Sequence, residues 1–132
     1  MYEQNKSMLN SIDPRGKRDL NKAEIKAENE VLIEKIAAFQ RVLYAEGKQS
    51  VLIILQGVDA SGKDGTVRSI FSKINPLGCQ VHSFKKPTEE EFSYDFLWRV
   101  HKIVPKKGMI NIFNRSHYED ILVPAVEGYY SD

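Results

Sequence analysis

Near the middle of the chain, Gly57-Val58-Asp59-Ala60-Ser61-Gly62-Lys63 keeps the spacing G-x-x-x-x-G-K, directly after an apolar run and ahead of a helical pattern. Residue types in this order bind phosphate. Glycine at 57 and 62 permits backbone angles that a β-carbon would obstruct. The loop can then turn its N–H groups inward as an anion nest, and the helix that follows adds its positive end. Lys63 supplies a mobile point charge. An ammonium and a phosphate oxygen ~4 Å apart attract by roughly 4 kcal/mol at an effective dielectric near 20. Phosphate contacts are therefore expected at Gly57 and at Ala60, Ser61, Gly62, Lys63, Asp64, Gly65 and Thr66. The pattern departs from the usual one at Asp64, where Ser or Thr normally binds magnesium; Thr66 lies two positions on. Asp59 is also unusual, because a carboxylate among phosphate-binding amides repels phosphate unless a cation lies between them. It reads as a magnesium ligand or an orienting base, with an Asx-type loop cap as the plainer role.

A second group of polar residues falls at Asn114 and Arg115, after another apolar run. In phosphate-loop folds an acidic residue at the end of a neighbouring strand holds magnesium. Asn114 occupies that place without charge, and can hold a metal-bound water. Arg115, planar and permanently charged, suits a bridging or terminal phosphate. Glu119 and Asp120 can make up the missing acidity, or serve a helix N-terminus. The metal set expected is Asp59, Asn114 and Glu119. Lys85 and Lys86 follow a third apolar stretch, and in an α/β sheet the carboxyl ends of the strands face the ligand crevice. Lys63, Lys85, Lys86 and Arg115 should therefore converge.

These residues need an α/β framework. Leu20 to Ala45 lacks Gly and Pro, and Ile25, Leu32, Ile36, Phe39 and Leu43 recur at helical steps. Asn21 is placed to cap it, with Glu24 three residues later. Val51 to Leu55 is continuous and β-branched, as in a strand buried on both faces of a parallel sheet. Gly62 to Ile74 reads as a helix with Val67, Ile70, Phe71 and Ile74 inward. Residues 79–85 alternate as a second strand. Thr88 with Glu91 is a capping box opening a helix with Phe92, Phe96, Leu97, Val100 and Ile103 on its apolar side. Met109 to Phe113 is a third strand, and Ser116 caps a last helix running to Glu127, with Pro124 kinking or ending it. The order predicts an α/β layered fold with a parallel sheet and flanking helices. Residues 1–19 are expected to be an arm, and 20–132 the domain.

Composition bounds the rest. The chain has 132 residues, 19 Lys and Arg against 18 Asp and Glu, and one cysteine, Cys79. A charge balance this close to neutral points away from nucleic-acid and membrane partners. A single cysteine excludes an internal disulfide and cysteine-rich metal centres and fits a reducing cytoplasmic setting. His82, His101 and His117 have no metal-binding spacing.

Gly57 to Thr66 and Asn114 to Val123, with Phe84 to Glu91 between them, resemble the motifs of the polyphosphate kinase 2 family. The likeness runs from about Ile25 to the last residue. It implies a phosphate-loop kinase fold related to thymidylate kinase, magnesium as cofactor, and phosphoryl transfer between inorganic polyphosphate and AMP, ADP or ATP. By position it makes Asp59, Lys63 and Arg115 catalytic. Many members have Asp where this chain has Asn114, and the form seen here is similar to the branch that accepts both AMP and ADP. The chain resembles the N-terminal half of the family's catalytic domain, without the lid. In that fold later strands cover the far side of Val51 to Leu55, so an exposed apolar edge is expected, completed by a second copy or another chain. Two other readings are an ATP-using nucleotide or metabolite kinase and a non-catalytic phosphate-binding fragment.

Overall fold

The structure is a computed structural model that describes residues 21–120. Within the described residues the order is α1 (Lys22–Glu46), β1 (Val51–Leu55), α2 (Lys63–Phe71), a 3-10 turn (Pro76–Gly78), β2 (Cys79–Ser83), α3 (Glu89–Phe92), α4 (Trp98–His101) and β3 (Ile110–Asn114). The N-terminal arm and, of the helix expected from Ser116 to Glu127, everything beyond Asp120, Pro124 included, lie outside the described residues. The chain divides into two units after Val31, inside α1. Of the first unit, only the opening of α1 is described. Asn21 caps it, its side-chain oxygen accepting the Ala23 N–H at 3.0 Å and its amide donating to Glu24 at 3.0 Å. No described helix is long and apolar enough to cross a membrane.

In the second unit the three strands form one parallel sheet in the order β1-β3-β2. The register is level at its carboxyl edge. Leu55 and Ser83 both lie opposite Asn114. Three loops therefore leave the sheet side by side, which is what gathers the site. β3 is the central strand and holds the core: Ile112 and Phe113 are fully buried, with Met109 and Ile110 nearly so. The Phe113 ring lies 4.9 Å from Phe84 and meets His82 edge-on at 6.1 Å.

Among the described residues β1 has a partner on one side only. Val51, Leu52 and Ile54 remain exposed, Ile54 at 41%, in place of burial on both faces. Beside it runs an apolar groove of about 570 Å³ lined by Phe39, Val42, Ile53, Leu55, Ile70 and Phe71, among others. This groove also alters α1. Its buried residues are Ile33, Ala37 and Gln40, whereas Leu32 is exposed and Phe39 is 73% exposed. The apolar surface of α1 is wider than one stripe and only partly covered: Gln40 and Phe39 both line the groove, yet Gln40 is buried and Phe39 is not. α2 is also only partly covered. It ends at Phe71, three residues short of the expected Ile74, and none of its own residues is fully buried.

The helix expected from Thr88 to Ile103 is broken into α3 and α4. The capping box forms, with the Glu91 N–H on Thr88 Oγ1 and the Thr88 N–H on Glu91 Oε2. Ser93 then turns its hydroxyl onto the Glu90 carbonyl at 2.7 Å, and the Asp95 carboxylate accepts the Leu97 N–H at 2.9 Å. Both side chains compete with the helical backbone bonds, which stops α3. Phe92 and Phe96 are consequently exposed, against expectation.

Gly78 passes close to α1. A β-carbon there would overlap the Gln40 amide and come within 3.1 Å of the Tyr44 ring. Gln40 is buried and cannot simply swing away. Gly78→Ala should cost about 1–3 kcal/mol through overpacking, read as a lower urea midpoint. An unchanged midpoint would show that α1 yields freely. Burial also pushes the Cys79 thiol above its ordinary pKa. Less thiolate is then present at pH 8, so alkylation by iodoacetamide should be several-fold slower than in urea. Equal rates would contradict this.

Candidate functional site

Three loops meet at the carboxyl edge of the sheet around a cleft of about 670 Å³. It is lined by Asp59 to Asp64 of the glycine loop, by Ser83 at the end of β2 with Phe84 and Lys85 after it, and by Asn114 at the end of β3 with Arg115 after it. Two backbone bonds tie the rim to the sheet: the Arg115 N–H donates to Leu55 O and the Phe84 N–H to Asn114 O, both at 3.0 Å.

The loop turns as its composition requires. Gly62, the residue capping α2, has φ +87°, and Ala60 also takes a left-handed φ of +60°. Gly57 does not have a positive φ; it matters for space, since a β-carbon there would lie 2.9 Å from Ser61 Oγ. The first-turn N–H groups of α2 lack intrahelical partners and sit at the positive end of the helix. The Lys63 ammonium is folded back on its own loop, donating to Gly57 O at 2.7 Å, Val58 O at 2.8 Å and Ser61 Oγ at 3.2 Å.

Lys63, Lys85 and Arg115 line this cleft together with Asp59 and Asp64. Lys86 does not line it. It faces an adjacent cleft of about 610 Å³ with Thr88, Glu90, Trp98, Arg99 and Lys102, and Lys85 lies on the wall shared by the two. Gly65 and Thr66 continue α2 behind the cleft, and the Thr66 hydroxyl bonds Gly62 O at 3.1 Å. Tyr94 and Trp98 stack at 4.0 Å, and the Lys102 ammonium caps the Trp98 ring.

Arg115 is held from two sides. Its backbone is left-handed, with φ +67°, an unfavourable state for a side-chain-bearing residue and one that tends to occur at functional sites. One guanidinium nitrogen pairs with Asp59, and another reaches Glu119 Oε2 at 3.4 Å. The second Glu119 oxygen accepts from Gln56 Nε2 at 2.6 Å, and Gln56 Oε1 accepts from the buried Ser116 hydroxyl at 3.2 Å.

Glu119 thus departs from its expected metal role: both carboxylate oxygens are engaged by Gln56 and Arg115, and the residue does not line the cleft. Among the described residues no three acidic, His or Cys side chains group as a metal cluster. The donors do suit a hard cation that takes its remaining oxygens from phosphate and water. Asn114 Oδ1 is buried without a partner while Nδ2 donates to the Asp64 carboxylate, and Asp59, 84% exposed, lies across the same cleft. His117 lies outside the cleft, stacked on Tyr118 at 4.5 Å.

Residue reading along the chain missed Arg99 and Gln56. Arg99 is only 10% exposed, donates to Lys85 O at 2.9 Å, pairs with Asp120 and Glu91, and lies 4.9 Å over the Phe84 ring. It braces the Lys85 segment against the core. Its partners Lys85 and Asp120 are 14 and 21 positions away, so no local spacing marks it.

The family model described as polyphosphate kinase 2 matches residues 19–132. An AMP/ADP-polyphosphate phosphotransferase from Meiothermus ruber is 55% identical over 97 residues, covering 74% of this chain and 36% of the relative. An ADP-polyphosphate phosphotransferase from Rhodopseudomonas palustris is 48% identical over 94 residues, covering 71% and 32%. The crystal structure of polyphosphate kinase 2 from Arthrobacter aurescens TC1 is similar with a TM-score of 0.86 at 40% identity, over 93% of this chain and 46% of that one. The chain spans about a third of the length of these two curated relatives.

Proposed function

The chain belongs to the polyphosphate kinase 2 family, and on that footing we propose that it takes part in magnesium-dependent phosphoryl transfer between inorganic polyphosphate and AMP or ADP. One observation carries the reading: the glycine loop, Lys63, Lys85 and Arg115 line a single cleft at the level carboxyl edge of the sheet. That is a local positive site on a nearly neutral chain, suited to a polyanion. The adjacent cleft, sharing Lys85 and adding Lys86, Arg99 and Lys102, offers room for a second phosphate-bearing substrate.

Catalysis here rests on positioning and charge neutralisation, with no covalent enzyme intermediate. The loop N–H groups and Lys63 hold the donor phosphates. Arg115 engages the phosphate that moves, exchanging its Asp59 partner for it. The acceptor oxygen of a nucleoside phosphate is already anionic and needs little general-base help. Asp59, Asp64 and Asn114 would hold magnesium, which would supply further neutralisation of phosphate charge.

The open β1 edge and its apolar groove are covered, on this reading, by polypeptide equivalent to the part of the relatives that this chain does not span, or by a second copy. A long apolar edge left open invites pairing. The same edge favours a second reading, in which this chain alone binds phosphate without turnover. An assay with magnesium, long-chain polyphosphate and either AMP or ADP, followed by ATP luminescence, tests the activity. ATP formed from polyphosphate supports the transferase. Polyphosphate binding without ATP favours the second reading, and ATP-driven transfer without polyphosphate would overturn the donor assignment.

A further inference from the structure

We infer that Gln56 is a positioning residue that aims the Arg115 guanidinium at the phosphate cleft through Glu119. The inference rests on the proposed phosphate site. Gln56 is the first residue after β1, and Arg115 the first after β3. The level register, with Leu55 opposite Asn114 and the Arg115 N–H bonded to Leu55 O, sets the two side by side.

The amide of Gln56 has one donor and one acceptor end, and both are used. Oε1 takes the hydroxyl proton of Ser116, a residue with no exposed surface. Glu119, a carboxylate that can only accept, fixes which way the amide points, with Nε2 donating to its Oε1 at 2.6 Å. Glu119 is then held with Oε2 toward Arg115, at 3.4 Å. A carboxylate left to itself would form its ion pair in many geometries. One held by a neutral donor on its far oxygen leaves the near oxygen for Arg115, four residues earlier in the chain. An arginine whose direction is set before phosphate arrives loses less freedom on binding. Glutamine suits this place because it supplies a donor without charge. A lysine there would compete with Arg115 for Glu119, and a glutamate would repel it.

The test is a double-substitution cycle on tripolyphosphate affinity, measured by calorimetry with the whole chain. Gln56→Leu should weaken binding about tenfold in the wild-type background and have little further effect when Arg115 is already Ala. An equal loss in both backgrounds would mean a general structural role and overturn the inference, as would no loss at all. Gln56→Glu adds a readout that packing alone would not move. Its affinity should recover as pH falls and the new carboxyl gains a proton to donate to Glu119, and the recovery should vanish in Arg115→Ala. A third arm needs no ligand. The Arg115 side-chain N–H signals in the NMR spectrum should be protected in the wild type and lose protection in Gln56→Leu. Unchanged protection overturns the role of Gln56 whether or not tripolyphosphate binds, whereas failure of the wild type to bind tripolyphosphate overturns the proposed function.

Discussion

Lys63→Ala should lower polyphosphate-dependent ATP formation at least about a hundredfold, the scale of losing one preorganised donor at a reacting phosphate. The side chain already curls over the loop mouth, where Gly57 O, Val58 O and Ser61 Oγ hold it. Phosphate has only to draw the ammonium off these oxygens, a small rearrangement. The charge arithmetic also makes it costly to lose. The cleft lining carries three cations, Lys63, Lys85 and Arg115, against two carboxylates, Asp59 and Asp64, so the substitution removes the whole positive excess. Tripolyphosphate affinity should fall with turnover, and both losses should shrink as salt screens the wild-type site. Retained turnover in Lys63→Ala would remove the phosphate loop from the mechanism.

Phe113→Ala should destabilise the fold by about 3–5 kcal/mol, the range for truncating a fully buried aromatic ring. Phe113 has no exposed surface and sits on the central strand, with Phe84 on one side and His82 on another. Domains of this size are stable by roughly 5–15 kcal/mol, and an open β1 edge puts this one toward the lower end. A large share of the variant should therefore be unfolded at 37 °C. Phe113→Leu, which keeps most of the volume, should cost far less. Urea unfolding followed by circular dichroism measures both, and a cost below about 1 kcal/mol for Phe113→Ala would contradict the account of the core. Because Phe84 carries Arg99 over its ring and Lys85 follows it in the chain, the same cavity should loosen the cleft wall.

The strands and the loop were legible because their signals are local. Five apolar residues, then glycine at fixed spacing, then a helix cannot easily mean anything else, and β1, the loop and α2 follow that order. The placement of Lys85 and Arg115 was also legible, since parallel strands put their carboxyl ends on one edge. What was lost depended on distant partners. Phe39 reads as a core residue by its spacing, but what would bury it is not among the described residues, and it stays exposed beside β1. Ser93 and Asp95 broke an expected helix through two short side-chain bonds that apolar periodicity does not register. Glu119 looked like a metal ligand because its acidity is visible in the sequence, whereas the Gln56 donor that occupies it lies 63 positions away. Lys86 stands next to Lys85, yet the chain leaving β2 turns it into the neighbouring cleft.

The claim that polyphosphate lies in the glycine-loop cleft is tested most directly by mapping backbone amide NMR shifts while titrating tripolyphosphate with magnesium. The account predicts a saturable response centred on Gly57 to Thr66, extending to Lys85 and Arg115, and absent along the apolar groove at Phe39 and Ile70. A response centred elsewhere, or none in the loop at saturating tripolyphosphate, would contradict it.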